Sequence, residues 1–92
     1  MQQEIAETRA LTLLAWLMGE DELLPVFMGA TGVAEADLRS RAGEADFLAS
    51  VLDFLLMDDR WVIRASDGTG IPAHDFALIR AGLPGGALPN WT

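Results

Sequence analysis

Residues 10–43 overlay residues 48–81 at a constant offset of 38, without a gap. Apolar positions coincide: Leu13 with Val51, Leu14 with Leu52, Trp16 with Phe54, Leu17 with Leu55 and Met18 with Leu56. Punctuation coincides too. Glu20-Asp21 falls on Asp58-Asp59, Thr31-Gly32-Val33 on Thr69-Gly70-Ile71, and Asp37-Leu38 on Asp75-Phe76. One helical unit written twice would restrict the chain to a few architectures. Two units are too few for an open solenoid, in which about three or more are needed to bury a continuous core. The expected fold is therefore an all-α compact bundle of five to six short helices, with both copies contributing to one core.

Helix is the expected state almost throughout, because tyrosine is absent, β-branched residues are sparse and strict alternation never runs far. A first helix is predicted from Gln3 to Met18, with Ile5, Leu11, Leu14, Ala15 and Met18 as its inward stripe, widened by Leu13, Trp16 and Leu17. Gly19 ends it. Glu20-Asp21 starts a second helix with Pro25 in its first turn, where a missing N–H costs least. Gly32 is placed to stop that helix in the left-handed conformation. A third helix is expected over residues 35–42. The fourth, residues 45–57, is apolar around most of its circumference and so is expected at the centre of the fold, leaving Asp46, Ala49, Ser50 and Asp53 to solvent. Asp58 caps a fifth helix running to about Ser66, and Asp67-Gly-Thr-Gly reads as a turn. Pro72 suits the first position of a sixth helix ending near Ala81, with Gly82 after it. Residues 1–83 are expected to form a single domain, and residues 84–92 a tail without periodicity.

Charge and cysteine usage restrict function. The formal net charge is −8, every cation is an arginine, and lysine is absent. Nucleic-acid affinity rests largely on cations that neutralise phosphates, so nucleic acid and anionic lipid are not expected partners. Absence of cysteine excludes disulfides, thiolate metal sites and thiol catalysis, and fits a cytoplasmic setting. The apolar stretches 11–18 and 47–57 are too short to span a bilayer.

No residue pattern names a reaction. His74 has no second histidine or cysteine to cooperate with and reads as a surface residue. Asp58-Asp59 reads as a helix cap rather than an acid–base pair. Asp67-Gly-Thr-Gly follows a predicted helix and lacks the strand and lysine of a phosphate loop. Arg39, Arg41 and Arg80 read as exposed ion pairs. Two features stand out. Asp53 interrupts an apolar helix and is expected to pair with Arg60 or Arg64. Met57 emerges from the apolar sector and, with Trp61 and Trp91, is a candidate partner surface.

Several of these residues together carry a family resemblance. Leu14-Ala-Trp-Leu, Glu22-Leu-Leu with Phe27-Met28, Thr31-Gly-Val with Asp37-Leu-Arg, and Phe47-Leu with Val51-Leu-Asp-Phe-Leu-Leu are similar to a small bacterial family, domain of unknown function 3572, found mainly in alphaproteobacteria. The resemblance spans about residues 5–85, through Leu83-Pro-Gly-Gly. It implies a short, stand-alone, intracellular helical protein, with no assigned catalytic residue, cofactor or partner to carry over. Ala34 stands where the family often has a capping residue.

Taken together, these readings point to a non-enzymatic helical protein-interaction module or small accessory protein, without cofactor, monomeric or weakly dimeric. The alternative is a small-ligand sensor with a pocket between the fourth and fifth helices, using Asp53 and Arg64 as its polar groups.

Overall fold

The computed structural model describes residues 1–85. Six α-helices follow one another: α1 (Gln3–Met18), α2 (Leu23–Thr31), α3 (Glu35–Arg41), α4 (Ala45–Leu55), α5 (Asp59–Thr69) and α6 (Phe76–Ala81), with a 3-10 turn, Ala73–Asp75, leading into α6. The Cα radius of gyration is 12.3 Å, matching the roughly 12 Å of a closed globule of this length.

The offset of 38 reappears in the backbone. α2 ends with Gly32 at φ 74° and α5 with Gly70 at φ 81°, the left-handed region where glycine has no Cβ penalty. Thr31 Oγ1 donates to the Phe27 carbonyl at 2.8 Å, and Thr69 Oγ1 to the Ala65 carbonyl at 2.7 Å. The same hydroxyls accept from the N–H of Val33 and of Ile71. The N–H of Gly32 reaches the Met28 carbonyl, and that of Gly70 the Ser66 carbonyl, both at 2.8 Å. Leu38 and Phe76, also 38 apart, are both fully buried. A shared apolar register alone would not reproduce these side-chain stops bond for bond.

The two copies are not two separate bodies. α1 packs chiefly on α4, α5 and α6, all from the second copy, and only lightly on its own neighbour α2. α4 is buried at Phe47, Leu48, Ala49, Val51, Leu52, Phe54 and Leu55 and occupies the centre, as its apolar wrap predicts. Around it runs an aromatic series. Phe27 of α2 meets Phe47 and Phe54 edge-on, with centroids 6.0 and 5.2 Å apart. The Trp61 ring stacks on Phe54 at 4.5 Å, and the Arg41 guanidinium lies 4.9 Å from the centre of the Phe47 ring.

Some expectations are corrected. The buried face of α1 is Ala6, Ala10, Leu13, Leu14 and Leu17, while Ile5 and Leu11 are each 46% exposed. Small residues win here because they permit close approach. A Cβ built on Gly82, just after α6, would lie 2.8 Å from the Ala6 Cβ and 2.9 Å from the Met1 carbonyl oxygen. α4 stops at Leu55, so Leu56 and Met57 leave the core, whereas Ala49 is buried rather than exposed. α5 continues through Asp67-Gly68-Thr69, so no turn forms until Gly70. Pro72 precedes the 3-10 turn in extended conformation, and Gly82 is right-handed at φ −82°.

Candidate functional site

Termination of α4 at Leu55 creates the most prominent surface feature. Leu56 turns outward, α5 departs at Asp59, and the 3-10 turn and α6 return alongside. Between them lies an open groove of about 400 Å³ lined by Leu56, Asp59, Val62, Ile63, Ala73, His74 and Ala77. Its walls are mostly aliphatic. Met57, 73% exposed, follows Leu56, and Leu78, 51% exposed, lies beside Ala77 on the outer face of α6. Single exposed apolar residues such as these are ordinary, whereas an open groove walled mostly by aliphatic side chains is a more distinctive surface.

The duplicated fold supplies an internal control for this surface. In the first copy the equivalent positions are Gly19, Pro25, Glu35, Arg39 and Ser40; in the second they are Met57, Ile63, Ala73, Ala77 and Leu78. The caps match at the Gly32 and Gly70 stops, whereas the preceding helix starts differ: α2 begins at Leu23 without a side-chain cap and α5 at Asp59, capped by Asp58. At these five positions the second copy is apolar where the first carries Gly, Pro, Glu, Arg and Ser, while at position 26 the first exposes Val26, 47%, opposite Arg64.

Of the residues singled out from the sequence, Met57 is exposed next to Leu56 in the chain but does not line the groove. Trp61 is half-buried by its stack on Phe54 and acts mainly as a lid on the aromatic series. Trp91 lies outside the described residues. Asp53 does not pair with Arg60 or Arg64. Its carboxylate accepts from Arg80 Nε at 2.6 Å and Nη2 at 3.4 Å, because α6 runs back along the polar edge of α4. The helix ends before residues 56–58, and α5 carries both expected arginines away. Arg60 turns back to Asp58, and Arg64 donates to Glu20 at 2.9 Å. Asp53 and Arg64 therefore do not converge in a pocket between α4 and α5. Sequence reasoning missed Ile63, Ala77 and Leu78, although comparing the two copies position by position on their outer faces would have found them.

Arg80 also donates from Nη1 to the Pro84 carbonyl at 3.0 Å. Arg80→Ala is accordingly expected to cost more stability than Asp53→Ala, with a pair coupling of about 0.2–1 kcal/mol by double-mutant cycle in urea denaturation.

Asp58 begins α5 in extended conformation, and its Oδ1 accepts from the Arg60 N–H at 2.9 Å. The Arg60 guanidinium adds bonds of 3.1 and 2.8 Å to the same carboxylate. These side-chain bonds, then the backbone bond, hold the Asp58 carboxyl below the usual 3.8. A depressed folded value stabilises the protein above the unfolded carboxyl range, and that contribution is lost as pH falls through the folded value. Carboxyl NMR titration is expected to place the Asp58 midpoint below 3.8, moving up toward it in Arg60→Gln. His74 is exposed, with Nε2 3.3 Å from Asp75, whose carboxylate also accepts from Arg9. Among the described residues, no three His, Asp or Glu side chains are placed to hold a metal ion.

A family model, described as protein of unknown function (DUF3572), matches residues 3–86, nearly the whole chain. The chain belongs to the DUF3572 family. No curated protein and no solved structure matches it. DUF3572 membership fixes no substrate, ligand or partner. In this DUF3572 chain no described helix is long and apolar enough to cross a membrane.

Proposed function

We propose that this DUF3572 chain is a non-enzymatic protein-interaction module that docks a partner in the groove between α5 and the 3-10 turn with α6. The observation that carries this reading is the contrast between the two copies. The second exposes Met57, Ile63, Ala77 and Leu78 where the first has Gly19, Pro25, Arg39 and Ser40. Exposed apolar groups reduce solubility unless something covers them, at least part of the time. The cytoplasm is the proposed setting, supported by the absence of cysteine. Nucleic acid is disfavoured as the partner by the net charge of −8. The small-ligand alternative loses its main support, since Asp53 and Arg64 bind elsewhere.

Affinity capture with the wild-type chain and with Ala77→Glu and Ile63→Glu variants tests the proposal. Both positions are exposed, so the variants should keep the wild-type far-UV spectrum and melting temperature. Proteins retained by the wild type and lost from both variants are the expected result. Identical capture by all three would remove the groove from the account.

A further inference from the structure

The junction between the two copies is built differently from the breaks inside them. α2 and α5 are closed by left-handed Gly32 and Gly70, and α5 is opened by the Asp58 cap. Between α3 and α4 the chain has no such device. Ala42 is still right-handed at φ −60° and ψ −23°, Gly43 has no positive φ, and Glu44 begins α4 without a side-chain cap. Glu44 leaves the helical region chiefly through its ψ of 122°. Gly43 and Glu44 are both exposed, and a Cβ on Gly43 would meet nothing within 4 Å. Rotation at these two residues would join α3 and α4 into one helix over residues 35–55, roughly 32 Å long. Arg41 and Glu44, three apart and paired at 3.3 Å, suit that helix as well. The principal ties that close the fold run between the copies: Arg9 to Asp75, Glu20 to Arg64, Phe27 to Phe47 and Phe54, Trp16 to Gly68, and Ala6 to Gly82. None of them requires that both halves belong to one chain.

We propose that two copies of this chain exchange halves at Gly43-Glu44, residues 1–43 of each closing on residue 44 onward of the other. Each lobe of the dimer rebuilds the monomer's interior from two chains, and two continuous helices replace two breaks. The opposing cost is lost freedom on association, so exchange takes place when chains fold at high concentration. The net charge of −8 on each chain also opposes it, so added salt raises the yield. The groove of α5 and α6 lies wholly within residues 56–77, so each lobe keeps one and the dimer offers two.

The chain has no cysteine, so an engineered pair reports which halves meet. Full-length Glu20→Cys/Arg64→Cys protein is refolded from urea over a range of concentrations, separated by size and joined with a short bismaleimide. The expected result is a dimer fraction that grows with concentration during refolding. In that fraction the linker joins two chains; in the monomer it stays within one. Gly43→Ala should raise the dimer association constant roughly fivefold per junction, or about thirtyfold for the two, because glycine is that much worse than alanine inside a helix. Two glycines inserted after Gly43 should lower the dimer yield, since they slacken the closed link and weaken the joined helix. Refolding to monomer alone at every concentration, in Gly43→Ala as in the wild-type hinge, would overturn the proposal. So would a dimer in which the linker stays within each chain, the result of association through outer faces.

Discussion

Phe27→Ala is expected to lower the unfolding free energy by about 3–5 kcal/mol, read from urea denaturation with an unchanged m-value. A domain of this size is stabilised by about 5–15 kcal/mol in total, so the variant should lose a large share of its stability. The effect is large because Phe27 is fully buried and serves three elements at once. It brings α2 onto the Phe47 and Phe54 rings of α4, and Phe54 in turn carries Trp61 of α5. Removing it leaves a void and takes two edge-on ring contacts with it. Both rings are carried by the central helix α4, buried on most of its circumference, so they cannot easily collapse inward to refill the space. Near-UV circular dichroism should weaken as Phe54, the ring on which Trp61 stacks, loses its edge-on support from Phe27.

The second large effect is expected at a residue that looks inert. Gly68→Ala would ordinarily stabilise a helix by about 1 kcal/mol through propensity. Here a Cβ would come 2.6 Å from Trp16 Cδ1, and closer still to Nε1. The indole of α1 lies edge-on against the bare backbone of α5, and its stiff ring has to swing away from the surface it covers. We expect a net loss of about 1–3 kcal/mol, measured by denaturation. A gain in stability would show that Trp16 does not rest on Gly68. Trp16→Ala in the Gly68→Ala background should remove most of the difference, because the partner in the clash is then gone.

Gly68 also marks where the sequence stopped being legible. Asp67-Gly-Thr-Gly looks like a turn because local propensity counts two glycines against helix. In the fold the first glycine is there for Trp16, and the second is the helix stop. Tertiary contact, invisible to propensity, decided between them. The same holds for α1. Its large residues Ile5 and Leu11 attract a periodicity argument, but Ala6 and Ala10 face the core because only small side chains let α1 approach the end of α6 this closely. What was legible had strong local chemistry: Asp58 as a cap, Gly32 as a stop, the apolar wrap of α4, and the repeat itself. The groove was legible in part. Met57 could be seen leaving the apolar sector, but Ile63, Ala73 and Ala77 line one groove only once α5, the 3-10 turn and α6 are placed. Arg80 as the partner of Asp53 depended on the same return of α6.

The account rests on two copies of one helical unit closing around a core that neither possesses alone. α1 finds most of its buried neighbours in the second copy, and Phe27 finds its rings there too. Far-UV circular dichroism of residues 1–43 and 44–92 as separate chains, then mixed, tests this most directly. The prediction is little helix and no cooperative melt from either half alone, with helicity and a melting transition regained on mixing. A half that folds by itself, with its own cooperative melt, would contradict it.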